Sequence, residues 1–382
     1  MSDIFDVIVL GTGGFGCSAL YHLARRGLKV LGVDRFGAAH DRGSSHGETR
    51  IIRKAYFEHP DYVPLLLRAY DLWGELEAES HQQLFWQCGL MLAGLPESEA
   101  ISGARLSAKQ HTLNVENLTA TEASHRWPGF RIPDDFDVVF EPEAGFLKVE
   151  ACVQTHLDLA IAHGARLQLN APVVSWSASD REVRVQTING EFVAKSLVIT
   201  AGAWSASVMA DLNLPLQVLR KPLFWHQTSS TEYNLGSGMP TFYFEIPDNN
   251  GGQARSFYGF PSIDNTTLKV AEHSGGDTVS VPLFVDRECR KEDSQPIAQF
   301  VQSCLPKLNP QASRQAVCLY TVTPDRHFVV DRHPQHPNVV IGCGFSGHGF
   351  KFTSVLGEVL ADLATDGHTK QPIGFLRLSR LQ

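Results

Sequence analysis

Two arginines and a histidine crowd one short polar stretch of this chain, and their types and spacing suggest chemistry. His46, Arg50 and Arg53 all lie within Gly43–Arg53, a segment that is otherwise rich in glycine and small hydroxyl residues. A guanidinium group is costly to bury unless an anion accompanies it. The stretch therefore predicts either a solvated basic loop or a loop that binds an anion, and its glycines favour the second because they let backbone lie against a ligand.

Two lysines and a cysteine extend this set. Lys269 interrupts an otherwise apolar strand, so either an exposed strand face or a functional buried charge explains it. Lys351 lies within the glycine-rich stretch 342–352, at the start of a predicted helix whose dipole would also stabilise negative charge. Cys318 stands near the head of the apolar run 317–321, where a cysteine is usually a small core hydrophobe.

The elements that must position these residues begin with a nucleotide-binding motif. The apolar run 7–10 predicts a buried parallel strand, and it ends at Gly11-Thr12-Gly13-Gly14-Phe15-Gly16. A helix with an apolar face should follow and end at Gly27, before a second strand over 29–34. A glycine-rich structural turn is the alternative, but the flanking elements favour a dinucleotide site.

Each part of the motif has a physical role. Gly11 permits the tight turn, Gly13 lets backbone approach a pyrophosphate, and Gly16 lets helix and strand pack closely. Asp34 ends the second strand and is placed to accept hydrogen bonds from ribose hydroxyls, which favours NAD or FAD over NADP. The motif does not separate NAD from FAD. A polar loop in place of the next helix points away from a simple NAD enzyme.

Composition narrows the class of protein. The 382 residues are 43% hydrophobic and 19% charged with a net charge of −8, and the basic residues are scattered, so nucleic-acid binding is not expected. No apolar run reaches the roughly 20 residues of a membrane span. Seven cysteines without paired spacing favour neither a disulfide framework nor a metal site. The acidic N-terminus that leads at once into a strand argues against a secretory signal, so we expect a cytoplasmic protein.

The rest of the chain alternates helices and strands around two β-rich regions. Helices are predicted from near Tyr62, over Glu150–His163 and over Phe352–Leu363. Residues 88–145 are predicted to form short strands and turns, and 215–319 to be β-rich, with aromatic residues that form a sheet core or wall a dry pocket. Trp204 is predicted to be ordinary core packing.

These motifs resemble one enzyme family over nearly the full chain. Gly43–Arg53 is similar to the flavin-contacting loop of the monomeric sarcosine oxidase and N-methyltryptophan oxidase family. Further matching motifs follow in the same order: Tyr62–Leu65, Arg126–Gly129, Phe257–Pro261, Leu268–Val270 with His273, Ser346–Phe352 and Phe375–Arg380.

The resemblance implies an α/β fold in which an FAD-binding Rossmann-like domain of the glutathione reductase and D-amino-acid oxidase type is interleaved with a β-rich substrate domain. Residues 1–85, 146–215 and 320–382 are assigned to the first domain, and 86–145 and 216–319 to the second. It further implies a monomeric enzyme that oxidises an N-methyl amino acid with oxygen, giving formaldehyde, the primary amino acid and hydrogen peroxide.

The resemblance also implies roles for individual residues. Arg53 and Lys351 would hold the substrate carboxylate, and Tyr258 and His273 would line the amine site. Lys269, Arg50 and His46 would flank the flavin ring, with Lys269 assisting oxygen, and Cys318 would carry the covalent flavin bond. The full set of predicted cofactor contacts is Gly11, Gly13, Gly14, Gly16, Asp34, Ser44, Thr49, Val173, Gly202, Cys318, Gly344, Gly347, Gly349 and Lys351.

One position departs from the family pattern. Tyr243 puts a phenol where the two parent enzymes have other residues, so it is predicted to alter the volume and hydrogen bonding of the substrate pocket. Sarcosine, N-methyltryptophan, pipecolate and fructosyl amino acids stay open as substrates. A flavin dehydrogenase that reacts poorly with oxygen, a nicotinamide-dependent dehydrogenase and a non-catalytic flavin-binding protein are the alternatives to an oxidase.

Overall fold

The computed structural model describes residues 4–248 and 252–381, and within them the chain forms two large sheets and one small sheet. The strands are β1 Ile4–Leu10, β2 Val30–Val33, β3 Thr49–Ile52, β4 Phe85–Gln87, β5 Leu90–Gly94, β6 Glu116–Thr119, β7 Asp137–Glu141, β8 Gly145–Lys148, β9 Arg166–Gln168, β10 Val173–Ala178, β11 Val183–Thr187, β12 Gly190–Ile199, β13 Gln217–Gln227, β14 Thr241–Ile246, β15 Arg255–Gly259, β16 Thr267–Glu272, β17 Asp277–Thr278, β18 Ala312–Val322, β19 Val329–Arg332 and β20 Val339–Cys343. The helices are α1 Gly14–Arg25, α2 Val63–Ser80, α3 Glu99–His111, α4 Ala120–Arg126, α5 Val149–Ala162, α6 Ser205–Val208, α7 Lys291–Cys304 and α8 Thr353–Thr365. No helix in the described ranges is long and apolar enough to span a bilayer.

The first large sheet carries the nucleotide-binding motif. Its strands run in the order β10-β11-β12-β1-β2-β9, and β20 extends it beside β12. β1 pairs in parallel with both β2 and β12, so their carboxyl ends meet at one edge of the sheet. Helices α1, α5 and α8 pack together beneath the sheet, and their apolar faces enter one core with α2. This arrangement places the loops after β1, β2, β12 and β20 around a common cleft.

The second large sheet is mostly antiparallel and lies across the cleft from the first. It has the order β17-β13-β16-β15-β14-β5-β7-β6, with β18 on the other edge of β13. Cys318 lies opposite Lys221 in the β13–β18 register, and Lys269 lies opposite Trp225 in the β13–β16 register. β18 runs on to Val322, so one strand crosses the sequence-assigned boundary between residues 319 and 320.

A third, small sheet holds the basic loop between the two large ones. β3, which contains Arg50, pairs antiparallel with β8, and β8 pairs with β4. Because β8 leads directly into α5 of the nucleotide-binding layer, the small sheet fixes the loop 43–53 relative to the cleft.

Several helices were missed by the sequence analysis. Residues 88–145 contain α3 and α4, and the β-rich region 215–319 contains α7. The buried face of α3 is built largely from Ala100, Ala104 and Ala108, which give a weak apolar signal. Helix α7 is mostly polar and has Pro296 inside it, a residue that normally ends a helix. Lys351 was predicted to lie at the start of the last helix, but it lies in a 3₁₀ turn over Phe350–Phe352 that precedes α8.

Close packing of α1 against α8 gives a test of this architecture. A Cβ on Gly357 of α8 would lie 2.1 Å from Oγ of Ser18 and 2.7 Å from its carbonyl carbon, whereas one on Gly74 of α2 would meet no atom within 4 Å. We expect Gly357→Ala to lower the free energy of unfolding by about 1–3 kcal/mol through overpacking. Gly74→Ala should raise it by about 0.5–1 kcal/mol, because alanine is the better helix former.

Urea unfolding of the two variants beside the native chain measures both effects. Equal changes in the two variants would contradict the close crossing of α1 and α8, since both substitutions add one methyl group to a helical glycine.

Candidate active site

The turn after β1 has the backbone geometry that a pyrophosphate site needs. Gly11 has φ of +90°, a left-handed conformation that favours glycine, and it accepts a 2.7 Å hydrogen bond from Oγ1 of Thr200. A Cβ on Gly16 would lie 1.8 Å from the carbonyl oxygen of Gly11, so only glycine lets α1 approach β1 this closely. At the start of α1 the N–H of Gly14 donates to Oγ of Ser45 at 3.2 Å, and Gly13, Gly14 and Phe15 line the cleft in front of the helix.

A cavity of about 820 Å³ opens in front of this turn. A Cβ on Gly13 or on Gly202 would meet no protein atom within 4 Å, so both backbones border open space. Predicted cofactor residues along its wall are Gly11, Gly13, Gly14, Asp34, Ser44, Val173, Gly202, Gly344, Gly347 and Gly349.

Asp34 is engaged at the edge of the cavity. Its carboxylate accepts hydrogen bonds from Thr12 N at 2.7 Å, from Thr12 Oγ1 at 3.1 Å and from Phe36 N at 2.9 Å. These bonds tie the end of β2 to the glycine turn. Trp204, predicted to be core packing, packs against a small buried apolar cluster but is partly exposed, and it also forms part of the cavity wall near Phe36, at 5.5 Å between ring centroids.

The second glycine-rich segment closes the opposite wall. Gly344 and Gly347 have φ of +65° and +83°, and a Cβ on Gly347 would lie 2.3 Å from the ring of Tyr320. Ser346 also has positive φ, at 48°, which is uncommon for a residue other than glycine. Its hydroxyl donates to Gly344 O at 3.0 Å and holds the turn against Thr323.

The basic loop is fixed by a carboxylate and a lysine. Glu150, in the first turn of α5, accepts hydrogen bonds from Gly47 N at 2.6 Å and from Glu48 N at 3.1 Å. On the other side, Lys269 Nζ donates to Gly47 O at 2.5 Å and to Thr49 O at 3.0 Å. Lys269 is 4% exposed, so an exposed strand face does not explain it. Burial, with Arg50 nearby, holds its pKa well below the usual range.

Cys318 lies against the same loop. Arg50 Nη2 donates to Cys318 Sγ at 3.3 Å and to Ser44 O at 2.8 Å, and the sulfur lies 3.3 Å from Ser44 O. Burial of the thiol acts to raise its pKa, but the positive charges of Arg50 and His46 outweigh burial and lower it to about 6. The nearby cations therefore favour the thiolate form of Cys318.

The other six cysteines contrast with Cys318, because burial raises the pKa of each one: Cys17, Cys88, Cys152, Cys289, Cys304 and Cys343. Cys318 alone among the seven has a depressed pKa, so it is the cysteine best placed to act as a nucleophile.

A second, small cavity of about 60 Å³ adjoins the large one. Arg50, Tyr320, Gly347 and Phe350 line both, so the two spaces meet at these residues. The predicted residues that line the small cavity are Arg50, Arg53, Tyr243, Tyr258, His273 and Lys351.

Two buried cations, Arg53 and Lys351, line the small cavity. Arg53 is 4% exposed and forms a 2.6 Å ion pair with Glu58, while its guanidinium carbon lies 3.9 Å from the ring centroid of Phe57. Burial acts to raise the pKa of Glu58, but Arg53 and other nearby cations lower it to about 2. Lys351 Nζ donates to His348 O at 2.7 Å, and burial lowers its pKa to about 7.

Aromatic rings line the small cavity as well. Tyr243 packs 5.2 Å from Phe57 and 6.2 Å from His273 between ring centroids. Tyr258 lies 6.4 Å from His273, whose Nδ1 is 3.4 Å from the hydroxyl of Tyr320. The lining of the small cavity therefore combines cations with aromatic rings.

The structure places the remaining predicted residues behind the cavity walls. Gly16 packs under the turn, and His46, Thr49, Lys269 and Cys318 form the layer that supports Arg50 and Ser44. Within the described chain, Nε2 of His46 is buried and has no hydrogen-bond partner.

Sequence analysis missed several residues at the site: Glu58, Glu150, His348 and Tyr320. Glu58 offered one signal, an acid five positions after Arg53. Tyr320 lay in the stretch that contains Cys318 but was given no role, because only the register of β18 shows which way it faces.

Comparison with known proteins identifies the family. A family model described as FAD dependent oxidoreductase matches residues 6–363. Monomeric sarcosine oxidase of Bacillus sp. (strain B-0618) is 40% identical over 385 residues, covering 100% of this chain and 97% of that protein. The chain belongs to the sarcosine oxidase family of FAD-dependent oxidoreductases.

Two further comparisons agree with the family assignment. N-methyl-L-tryptophan oxidase of Shigella flexneri serotype 5b (strain 8401) is 37% identical over 380 residues, covering 99% of this chain and 100% of that protein. The structure of NikD, an unusual amino acid oxidase essential for nikkomycin biosynthesis, matches with a TM-score of 0.87 at 23% identity, covering 98% of each chain, which shows a shared fold. The predicted family, fold class and enzyme class are confirmed.

The residues of the large cavity fit the family's cofactor. The glycine turn and α1 offer N–H groups to a pyrophosphate, and the open space beside Gly13 and Gly202 leaves room for backbone contact. Arg50 borders both cavities, so an isoalloxazine ring in the large cavity would reach the small one.

The depressed pKa of Cys318 can be measured directly. In flavin-free protein, we expect the ultraviolet absorbance of a thiolate to appear with a midpoint near pH 6, and Cys318→Ser to lack that transition. Arg50→Met should move the midpoint upward, because the cation that stabilises the thiolate is lost. A native midpoint near the ordinary thiol value of about 8.5 would contradict the electrostatic account.

Proposed function

We propose that this enzyme oxidises a small N-methyl amino acid of the sarcosine type, with dioxygen as the electron acceptor. The products are formaldehyde, the primary amino acid and hydrogen peroxide. The observation that carries this proposal is the small cavity next to the proposed flavin site, whose lining combines the cations Arg53 and Lys351 with aromatic rings.

The positive charge in the lining of the small cavity suits a substrate carboxylate. A guanidinium fork and an ammonium group bind a carboxylate with charge-assisted hydrogen bonds. Arg53 is paired with Glu58 at 2.6 Å, so a substrate carboxylate would compete with or displace that partner. Lys351 makes its 2.7 Å hydrogen bond to a carbonyl oxygen, which leaves its charge without a direct carboxylate partner among the described residues.

The size of the cavity favours a small substrate. The small cavity is confined to about 60 Å³, and Tyr243, which packs 5.2 Å from Phe57 between ring centroids, takes up space that an indole would need. An N-methyl group would lie among the rings of Tyr258 and Tyr320. A substrate with a bulky side chain would need these rings to move.

The chain's own residues prepare the chemistry at the flavin. When bound, FAD accepts two electrons from the carbon–nitrogen bond of the substrate and passes them to dioxygen. Lys269 lies behind the loop 47–49 and donates to Gly47 O, and its protonated form would stabilise negative charge on oxygen. The Cys318 thiolate is proposed to form the covalent bond to the cofactor.

Substrate analogues test the proposal. A peroxide-coupled assay should show turnover of sarcosine, and sarcosine amide should react with kcat/KM lower by about 10²-fold or more, since hydrogen bonds to charged groups contribute roughly 1.5–3 kcal/mol. Turnover of N-methyltryptophan or a fructosyl amino acid in preference to sarcosine would contradict the small-substrate assignment.

Covalent attachment is tested by acid precipitation. The native protein should stay yellow in the pellet, and Cys318→Ala should release its flavin to the supernatant or fail to bind it. Cys289→Ala is the matched control, because burial raises the pKa of that thiol to about 11, and its pellet should stay yellow. Yellow supernatant from the native protein would exclude the covalent bond.

The role of Lys269 is tested by separating the two half-reactions. Lys269→Met should slow reoxidation by oxygen by about 10²-fold or more, as expected when a preorganised charge is removed, and should slow reduction by substrate far less. Lys307→Met removes an exposed lysine and should change neither rate. Comparable slowing of both half-reactions in the Lys269 variant would argue against the proposed role.

A further inference from the structure

Lys221 is a buried cation at the back of the small cavity. Its side chain is 2% exposed, and its ammonium group donates to three main-chain carbonyls, His273 O at 3.0 Å, Ser274 O at 2.7 Å and Gly275 O at 3.1 Å. An ammonium group has three donors, so the segment 273–275 satisfies all of them.

The turn after β16 is shaped around this lysine. Gly275 and Gly276 have φ of +62° and +116°, conformations that side chains rarely adopt. A Cβ on Gly276 would lie 3.0 Å from Cδ of Lys221, so a larger residue would press on the lysine stem. The backbone therefore wraps the ammonium group closely, and the first residue of the wrapped segment is His273.

Lys221 also lies near Tyr320, the residue whose hydroxyl faces the His273 ring. Its Nζ lies 5.2 Å from the ring centroid of Tyr320, and the hydroxyl of Tyr320 lies 3.4 Å from Nδ1 of His273. Both rings line the small cavity, whereas Lys221 itself does not. One side chain outside the cavity thus supports two of the groups inside it.

We propose that Lys221 is a positioning residue whose ammonium group fixes the 273–275 backbone and so holds the His273 imidazole against Tyr320 in the substrate cavity. The effect of Lys221 on turnover rests on the proposed function, because the position of His273 matters to catalysis only if this cavity receives the secondary amine.

The charge of Lys221 adds to the effect of its position. Burial lowers the pKa of His273 to about 3, and Lys221 is the first charged group that adds to this lowering. A neutral imidazole accepts a hydrogen bond and does not repel a substrate ammonium group, whereas a protonated one would. The ionisable groups that face His273 are Lys221 on β13, Tyr243 on β14, Tyr258 on β15, Tyr320 on β18, Glu58 in the loop after β3, and His348 and Lys351 before α8.

Histidine-labelled, flavin-loaded enzyme provides the test. NMR should show the His273 ring uncharged from about pH 5 to 8 in the native enzyme, with His273→Asn assigning its signals. In Lys221→Met we expect the His273 ring signals to shift even between pH 5 and 8, because the 273–275 backbone loses its anchor, and KM for sarcosine to rise more than kcat falls. A titration extended below pH 5 should show the His273 pKa raised by about one unit, because a like charge is removed. Lys221→Arg keeps the positive charge, so the His273 pKa should stay low in that variant, and Lys195→Met, which removes a lysine exposed at the surface, should change neither the His273 signals nor KM.

Lys221→Gln keeps donors for the carbonyls without the charge, so it tests the proposal if Lys221→Met does not fold. Unchanged His273 signals together with an unchanged KM in the uncharged variants would overturn the proposal, even if those variants were less stable. The NMR measurement does not depend on turnover. If the native enzyme did not oxidise sarcosine, the proposed function would be contradicted, and the His273 spectra alone would decide the role of Lys221.

Discussion

Buried positive charge is the constraint on which the rest of the site depends. Arg53, Lys269, Lys351 and Lys221 are each at most 5% exposed, and an ion taken out of water loses several kcal/mol of solvation unless partners replace it. The chain replaces water mainly with main-chain carbonyl oxygens, and of these four cations only Arg53 has a close carboxylate partner among the described residues. A site with excess positive charge in a poorly solvated space is suited to an anionic ligand.

The irregular backbone around the cavities follows from this requirement. Carbonyl groups can converge on an ammonium group only where the chain turns sharply, and such turns occur at Gly47, Gly275 and Gly347, all with positive φ. The carboxylate of Glu150 then fixes the turn at Gly47 from the opposite side by accepting a hydrogen bond from the N–H of Gly47. The same loop presents Arg50 to Cys318, so the charge that lowers the pKa of the thiol and the hydrogen bonds that hold the loop belong to one arrangement.

Local signals in the sequence predicted the parts of the fold that local rules determine. The glycine turn after β1 follows from its motif and the helix α2 from its apolar periodicity, and the structure has both. Helix α7 was missed because Pro296 and its polar surface override that periodicity. Glu58 and Lys221 were missed because their roles arise from contacts between segments far apart in sequence, which no local pattern records. The family resemblance supplied most of the candidate residues, and their roles stay predictions.

A crystal structure of the flavin-loaded enzyme tests the central claim most directly, because the account requires the loop 43–53, β18 and the segment 342–352 to meet at one isoalloxazine ring. It predicts continuous density from Cys318 Sγ into that ring, with Arg50 and Lys269 beside it. A ring that lies apart from Cys318, with other side chains between them, would contradict the account.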